Sequence, residues 1–272
     1  MTTVSATPTV TFPDSFVWGA GTSAFQIEGG LTAGGRGPSI WDDFSERPGA
    51  VFDGNRGEPA CDSYRRWADD AALLRDAGLR AYRFSFSWPR ILPFGTGQVN
   101  EEGIEFYRVA MESLLEVGVQ PWPTLYHWVL PTALQEMGGW ENRDIVSWFS
   151  EYAQVVAEHL GDLFGHCWIL NEPNYHALLG YRLGTNAPGK KSEDAFYAAM
   201  HHQNVVQRDV ARRVGVRVGG AVRARQGRLP EPGAHPQGVV SVVVRPRPRQ
   251  RDTSRRLMRS RSTHPVRHHL VR

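Results

Sequence analysis

The segment Trp168-Ile169-Leu170-Asn171-Glu172-Pro173 carries the sharpest chemical signal in the chain. Its short apolar run reads as a buried strand that delivers Glu172 at its end, where an apolar wall tends to raise a carboxyl pKa. A carboxylic acid that keeps its proton near neutrality is a general acid, able to make a leaving group of an ether or acetal oxygen. The competing reading is an ordinary loop acid in a turn before Pro173. His127-Trp128, Gln26 and Asn171 add imidazole and amide groups that donate and accept, with an indole face beside them. Such a set suits a polyhydroxylated ring. Taken singly, His127 and Trp128 fit a protein core as well. Arg83, between Tyr82 and Phe84 in a strand-like stretch, needs a partner carboxylate, because an unpaired interior charge is costly.

Elements must hold these groups in place. From Asp62 to Gly78, apolar residues recur at Tyr64, Trp67, Ala68, Ala71 and Leu74, the spacing of an amphipathic helix with Asp62 as N-cap and Gly78 as its stop. Leu79 to Trp88 alternates aromatic or apolar residues with Arg and Ser and predicts a strand. The pair then repeats. Ile104, Tyr107, Met111, Leu114 and Leu115 mark a helix ending at Gly118, and Val119 to Trp128 predicts a strand despite Pro121 and Pro123. Ile145, Phe149, Tyr152, Val156 and Leu160 mark a third helix, before the strand Cys167 to Leu170.

Helices alternating with strands predict βα units around a parallel sheet, either doubly wound or closed as a (β/α)8 barrel. A barrel places its functional polar residues at the carboxyl ends of its strands. Here Gln26 and Glu28 follow a first apolar run, Phe16-Val17-Trp18; Trp88 ends the second strand, His127-Trp128 the third and Asn171-Glu172 the fourth. That pattern favours the barrel. Gly19-Ala20-Gly21-Thr22-Ser23-Ala24, with Asp42 further on, matches the G-x-G-x-x-[GA] dinucleotide pattern. The strand before it is short and no helix opens after it, so small residues packing at a barrel bottom are the better reading.

With these residues placed, the chain resembles glycoside hydrolase family 1, the β-glucosidase family. The matching stretches are FPDSFVWGAGTSAFQIEGG (12–30), GPSIWDDF (37–44), YRFSFSWPRI (82–91), TLYHW (124–128), GGW (138–140), WILNEPN (168–174) and APG (187–189). The resemblance implies a TIM barrel and a retaining β-glycosidase acting on a β-glucoside or short β-linked oligosaccharide, without cofactor or metal. By position, Glu172 resembles the family's general acid/base and Arg83 the residue that orients its nucleophile. Gln26, His127, Trp128 and Asn171 resemble its ligands for sugar hydroxyls. Two departures are Val129, where the family usually has Asp, and Leu170, where it usually has Thr. A larger one is the nucleophile: a retaining site needs a second carboxylate about 5 to 5.5 Å from the first, and the family takes it from Glu-Asn-Gly. The chain has no such motif, and Glu141-Asn142-Arg143 is in the wrong place. Eight units need well over roughly 300 residues, so 12–207 represent about the first four βα units, an incomplete barrel expected to be inactive as it stands.

Composition divides the chain. Residues 208–272 hold seventeen Arg, no Lys and three acids (Asp209, Glu231, Asp252), whereas every Trp, Tyr and Phe lies before residue 208. Residues 1–11 read as a flexible N-terminus and 208–272 as a disordered basic tail. A nucleic-acid-binding arm is one explanation of the tail, although it has no aromatic for base stacking. An inert extension and an out-of-frame reading of a GC-rich gene are the others, and the composition favours the last. Cys61 and Cys167 lie in segments that read as interior and are taken as reduced thiols. No basic segment followed by an apolar one opens the chain, and no run approaches about 18 apolar residues, so a cytoplasmic protein with no membrane partner is expected. The coding sequence provides the test of the tail. Near the codon for Gln207, a shifted frame is expected to restore an amphipathic helix, an apolar strand and, downstream, Glu-Asn-Gly. If neither alternative frame yields aromatics and that motif, the basic segment must be explained as protein.

Overall fold

The structure, a computed structural model, describes residues 11–213 and the backbone of 217–218 and 241–243. Strands β1 (Gly19–Gly21), β2 (Ala81–Ser85), β3 (Gln120–Tyr126) and β4 (Cys167–Leu170) lie side by side in that order, all parallel. Helices α1 (Ala24–Ile27), α2 (Ile40–Ser45) and α3 (Ser63–Asp76) fall between β1 and β2, and α4 (Trp88–Ile91) and α5 (Glu101–Glu116) between β2 and β3. Helices α6 (Thr132–Glu136) and α7 (Ile145–Leu160) lead to β4, which α8 (Pro173–Ala177) and α9 (Glu193–Arg213) follow. Two short strands, β5 (Arg217–Val218) and β6 (Ser241–Val243), pair with each other, and β6 runs antiparallel along β4. Strand β6 falls within a run, VVSVVV (239–244), that interrupts the basic tail. Residues 214–216, 219–240 and 244–272 of the tail, and with them the alternatives proposed for it, lie outside the described residues.

The period of two in β2 and β3 sorts side chains between two environments. Tyr82, Phe84 and Phe86 turn toward the helices, where Trp67 of α3 meets Tyr82 and Phe84 edge-on and Tyr107 of α5 meets Phe86. Arg83 and Ser85 face the other way, in register with Trp122 and Thr124 of β3. The prolines of β3 are accommodated by the same alternation. Gln120 donates its N–H to Arg80 and Thr124 accepts from Phe86, so the even residues from Gln120 to Thr124 serve β2. The missing N–H groups of Pro121 and Pro123 therefore fall on the β4 side, where pairing begins only at Thr124 opposite Trp168.

Several expectations are corrected. The first strand forms at Gly19–Gly21 rather than Phe16–Trp18, because a Cβ on Gly19 would lie 2.7 Å from the Ala81 carbonyl oxygen and only glycine permits that approach. Trp88 is not at the strand's rim. It begins α4, fully buried, stacked on Tyr152 of α7 at 4.6 Å and donating to the Gly95 carbonyl. Asp62 does precede α3, but in the left-handed region with no side-chain cap, its carboxylate going to Arg65 instead. Cys61 is exposed, whereas Cys167 is buried; both are free thiols. Helix α9 also continues through the first basic residues to Arg213: Val206 and Val210 are buried, and Asp209 accepts from Ser150 of α7 at 2.5 Å. The Gln207 composition break therefore lies inside a packed helix.

Glu28 is likewise not a rim carboxylate. It is buried beneath α4, accepting from Arg90 Nε at 3.1 Å and from the Tyr107 hydroxyl at 2.5 Å. Arg90, fully buried, donates also to the carbonyls of Gly29, Gly30 and Ala33, and its guanidinium lies over Tyr64. Removing one member of a buried, hydrogen-bonded pair strands the other charge. Glu28→Gln is accordingly expected to lower the urea midpoint by an amount equivalent to about 3–5 kcal/mol. A loss below about 1 kcal/mol would show that water reaches Arg90.

Candidate active site

Glu172 follows β4 at the carboxyl end of the sheet and sits at the N-cap of α8, with φ 41°. Trp128, just beyond β3, also has a positive φ, 71°. Left-handed backbone at non-glycine residues costs roughly 1–3 kcal/mol each and persists only where surroundings enforce it. Asn171 provides that enforcement. Its N–H donates to the Tyr126 carbonyl, its own carbonyl accepts the Trp128 indole N–H at 2.8 Å, and its Oδ1 accepts Arg83 Nη2 at 2.7 Å. The Asn171 amide nitrogen reaches Glu172 Oε2 at 3.5 Å. One residue, through its main chain and its side chain, thus joins β2, β3 and β4.

Arg83 lies half-buried over Trp168, its cation 5.4 Å from the ring centroid. Its partner is an amide rather than the carboxylate expected from sequence, and its buried Nε has no hydrogen-bond partner. Burial pulls its pKa down, and the nearby Glu172 charge partly restores it. Glu172 itself is exposed, not walled in by apolar groups. His127 is largely buried with Nδ1 unpartnered, and burial together with the Arg83 charge pushes its pKa down to about 4. A neutral imidazole with a vacant nitrogen is a ready partner for a hydroxyl. Gln26 stands apart in α1, which follows β1, exposed, its Oε1 accepting from Ser23. Its turn is seated on β2, because Ala24 donates its N–H to Ser85 Oγ at 2.9 Å.

Sequence reasoning did not single out Tyr126, Trp140 and His176 behind this layer. Trp140 Nε1 donates to the Tyr126 hydroxyl at 2.9 Å, and that hydroxyl lies 3.1 Å from His176 Nε2. The available signal was the spacing of His176 from Glu172, four residues, which closes a helical turn through the His176 N–H and the Glu172 carbonyl. A shallow depression lined by Val17, Arg80, Gln120 and Trp122 lies at the opposite, amino end of the strands.

Parallel strands alternating with helices, and polar groups gathered at the strands' carboxyl ends, define part of a (β/α)8 barrel with its site on the usual face. The chain belongs to glycosyl hydrolase family 1, whose family model matches residues 8–215. It is 47% identical over 205 residues to a 1,4-β-D-glucan glucohydrolase of Thermotoga neapolitana, covering 75% of this chain and 48% of the relative. With β-glucosidase A of Thermotoga maritima it shares 48% over 191 residues, 70% of this chain and 43% of the relative. The solved Thermotoga maritima β-glucosidase in complex with a methoxycarbonyl-substituted glucoimidazole superimposes with a TM-score of 0.73 at 45% identity, over 74% of this chain and 46% of that one. The chain thus spans about half the length of the curated relatives it matches.

The buried imidazoles make stability depend on pH. Burial also pushes His176 down, to about 3. The unfolded chain protonates these rings near their ordinary pKa of about 6.5. Between pH 6.5 and 4 the unfolded state therefore binds more protons, and stability falls as pH falls through that window. The urea midpoint should drop across it, and His127→Asn should flatten part of the slope. An unaltered slope in that variant would mean His127 titrates alike in both states.

Proposed function

We propose that this part of the chain forms the acid/base half of a retaining β-glycosidase site. The observation that carries the reading is the side chain of Asn171, bonded to Arg83 and set beside Glu172 where three strand ends meet. In this reading Glu172 gives its proton to the glycosidic oxygen as the aglycone leaves, then takes a proton from the incoming water. Asn171, His127, Trp128 and Gln26 hold the sugar's hydroxyls. Arg83, with its buried Nε unpartnered, orients the nucleophilic carboxylate through a charge-assisted bond. The relatives' names support a β-glucoside or a short β-linked oligosaccharide as substrate, and a place in carbohydrate metabolism. Cytoplasmic residence fits the two free thiols.

The nucleophile of the family pattern is the missing part, since the 272 residues contain no Glu-Asn-Gly. This absence favours a second reading, in which the chain alone binds sugar without cleaving it. The two separate in one experiment. Alone, the chain should release no phenol from an aryl β-glucoside. Mixed with the carboxyl-terminal half of the Thermotoga maritima β-glucosidase, it should regain release. Glu172→Gln should then slow poor leaving groups most, because an acidic phenol needs little protonation to depart. Restored release indifferent to Glu172→Gln would remove Glu172 from the acid/base role, and release by the unmixed chain would mean another carboxylate acts as nucleophile.

A further inference from the structure

One buried titratable side chain beside the site is used by neither the sugar contacts nor the proton transfer. His176 of α8 is 1% exposed and set among four aromatic rings: Tyr126, Trp128, Trp140 and Tyr181 lie with centroids 5.3, 5.8, 6.2 and 5.5 Å from its own. An apolar side chain would fill such a site without the expense of burying two ring nitrogens. What a phenyl ring could not do is accept a proton. The Trp140 indole has only an N–H to give, so at the Tyr126 oxygen it must be the donor. The Tyr126 O–H is then free to donate to His176 Nε2, 3.1 Å away. That direction leaves the ring proton on Nδ1, which has no hydrogen-bond partner among the described residues although the Gln203 side chain of α9 is close enough to influence the ring.

The two ends of this chain of bonds lie in different parts of the site. Tyr126 is the last residue of β3 and is followed directly by His127 and the left-handed Trp128. His176 belongs to the turn whose first carbonyl is that of the left-handed Glu172. We infer that His176 is a positioning residue, whose neutral ring accepts the Tyr126 hydroxyl at Nε2 and so holds the end of β3 against the turn that begins at Glu172. The inference deepens the glycosidase reading and takes its functional meaning from it, but its geometry can be tested without turnover. Burial, opposed by Gln203, keeps the ring neutral.

The test is nuclear magnetic resonance of the full chain labelled with nitrogen-15. The His176 ring should show a pyridine-type Nε2 and a protonated Nδ1, unchanged from pH 8 to pH 5. A protonated Nε2 would overturn the inference, because the ring could not then accept from Tyr126. The second readout is solvent exchange of the Trp128 indole N–H, which is bonded to the Asn171 carbonyl. His176→Phe should accelerate it by about tenfold, and His176→Gln, which restores an acceptor oxygen, should return it toward the original rate. The Trp67 indole N–H, bonded to the Ala110 carbonyl on the helix side of the sheet, is the internal control and should not change. Unchanged Trp128 exchange in His176→Phe, with Trp67 intact, would overturn the inference. If His176→Phe fails to fold, shown by loss of the Trp67 signal, the ring tautomer and His176→Gln still decide it. Failure of these measurements leaves the Glu172 assignment standing, and indifference of restored activity to Glu172→Gln leaves them standing in turn.

Discussion

A guanidinium withdrawn from water must find both charge and hydrogen-bond acceptors, and the loop after β1 is arranged to supply them to Arg90. Glu28 provides the charge, Gly29, Gly30 and Ala33 provide carbonyls, and the Tyr64 ring covers the cation's face. Gly29 and Gly30 take positive φ, which lets successive carbonyls converge on one cation. Burial works against the charge of Arg90, yet Glu28 and the surrounding hydroxyls carry its pKa above the ordinary value. Because α1 runs directly into Glu28, the same cluster fixes where Gln26 stands relative to the strand ends.

Arg83 shows the other fate of the same residue type. Burial lowers its pKa, its polar partner is neutral, and one buried nitrogen has none. The difference follows from which way each residue faces. Arg90 lies beneath a loop that closes over it, whereas Arg83 alternates with Tyr82 and Phe84 and so looks away from the helices, into the face that Trp122 and Trp168 line. One arginine is complete within the described residues and serves the fold. The other has bonding capacity left for an anion, and it borders the residues whose backbone is strained.

Much of this was legible in sequence wherever a pattern is local. The alternation from Tyr82 to Phe86 and the helical stripes of α3, α5 and α7 depend on spacing alone, so the elements form where the periods place them. The strand ends that bear His127 and Asn171-Glu172 follow from the same counting. Trp88 was not legible, because its burial depends on Tyr152 in α7, a contact that spacing cannot encode. Glu28 deceived for a similar reason: its partners, Arg90 and Tyr107, come from beyond β2. Asp62 stands before its helix and Glu172 after its strand, as the spacing predicts, but the left-handed backbone they adopt leaves no mark in composition.

The prolines of β3 have a further consequence. Parallel strands can slide past one another, and a slip of one residue exchanges the two faces of the moving strand. In the observed register the missing N–H groups of Pro121 and Pro123 point where little pairing is needed. A slip of one residue would aim both gaps at β2 and empty two rungs of that ladder, while turning Trp122 and Thr124 toward the helices. The prolines thus act as a key cut for a single lock position: they contribute nothing to the correct pairing except the exclusion of its neighbour, and the register that survives is the one that sets Arg83 beside Asn171.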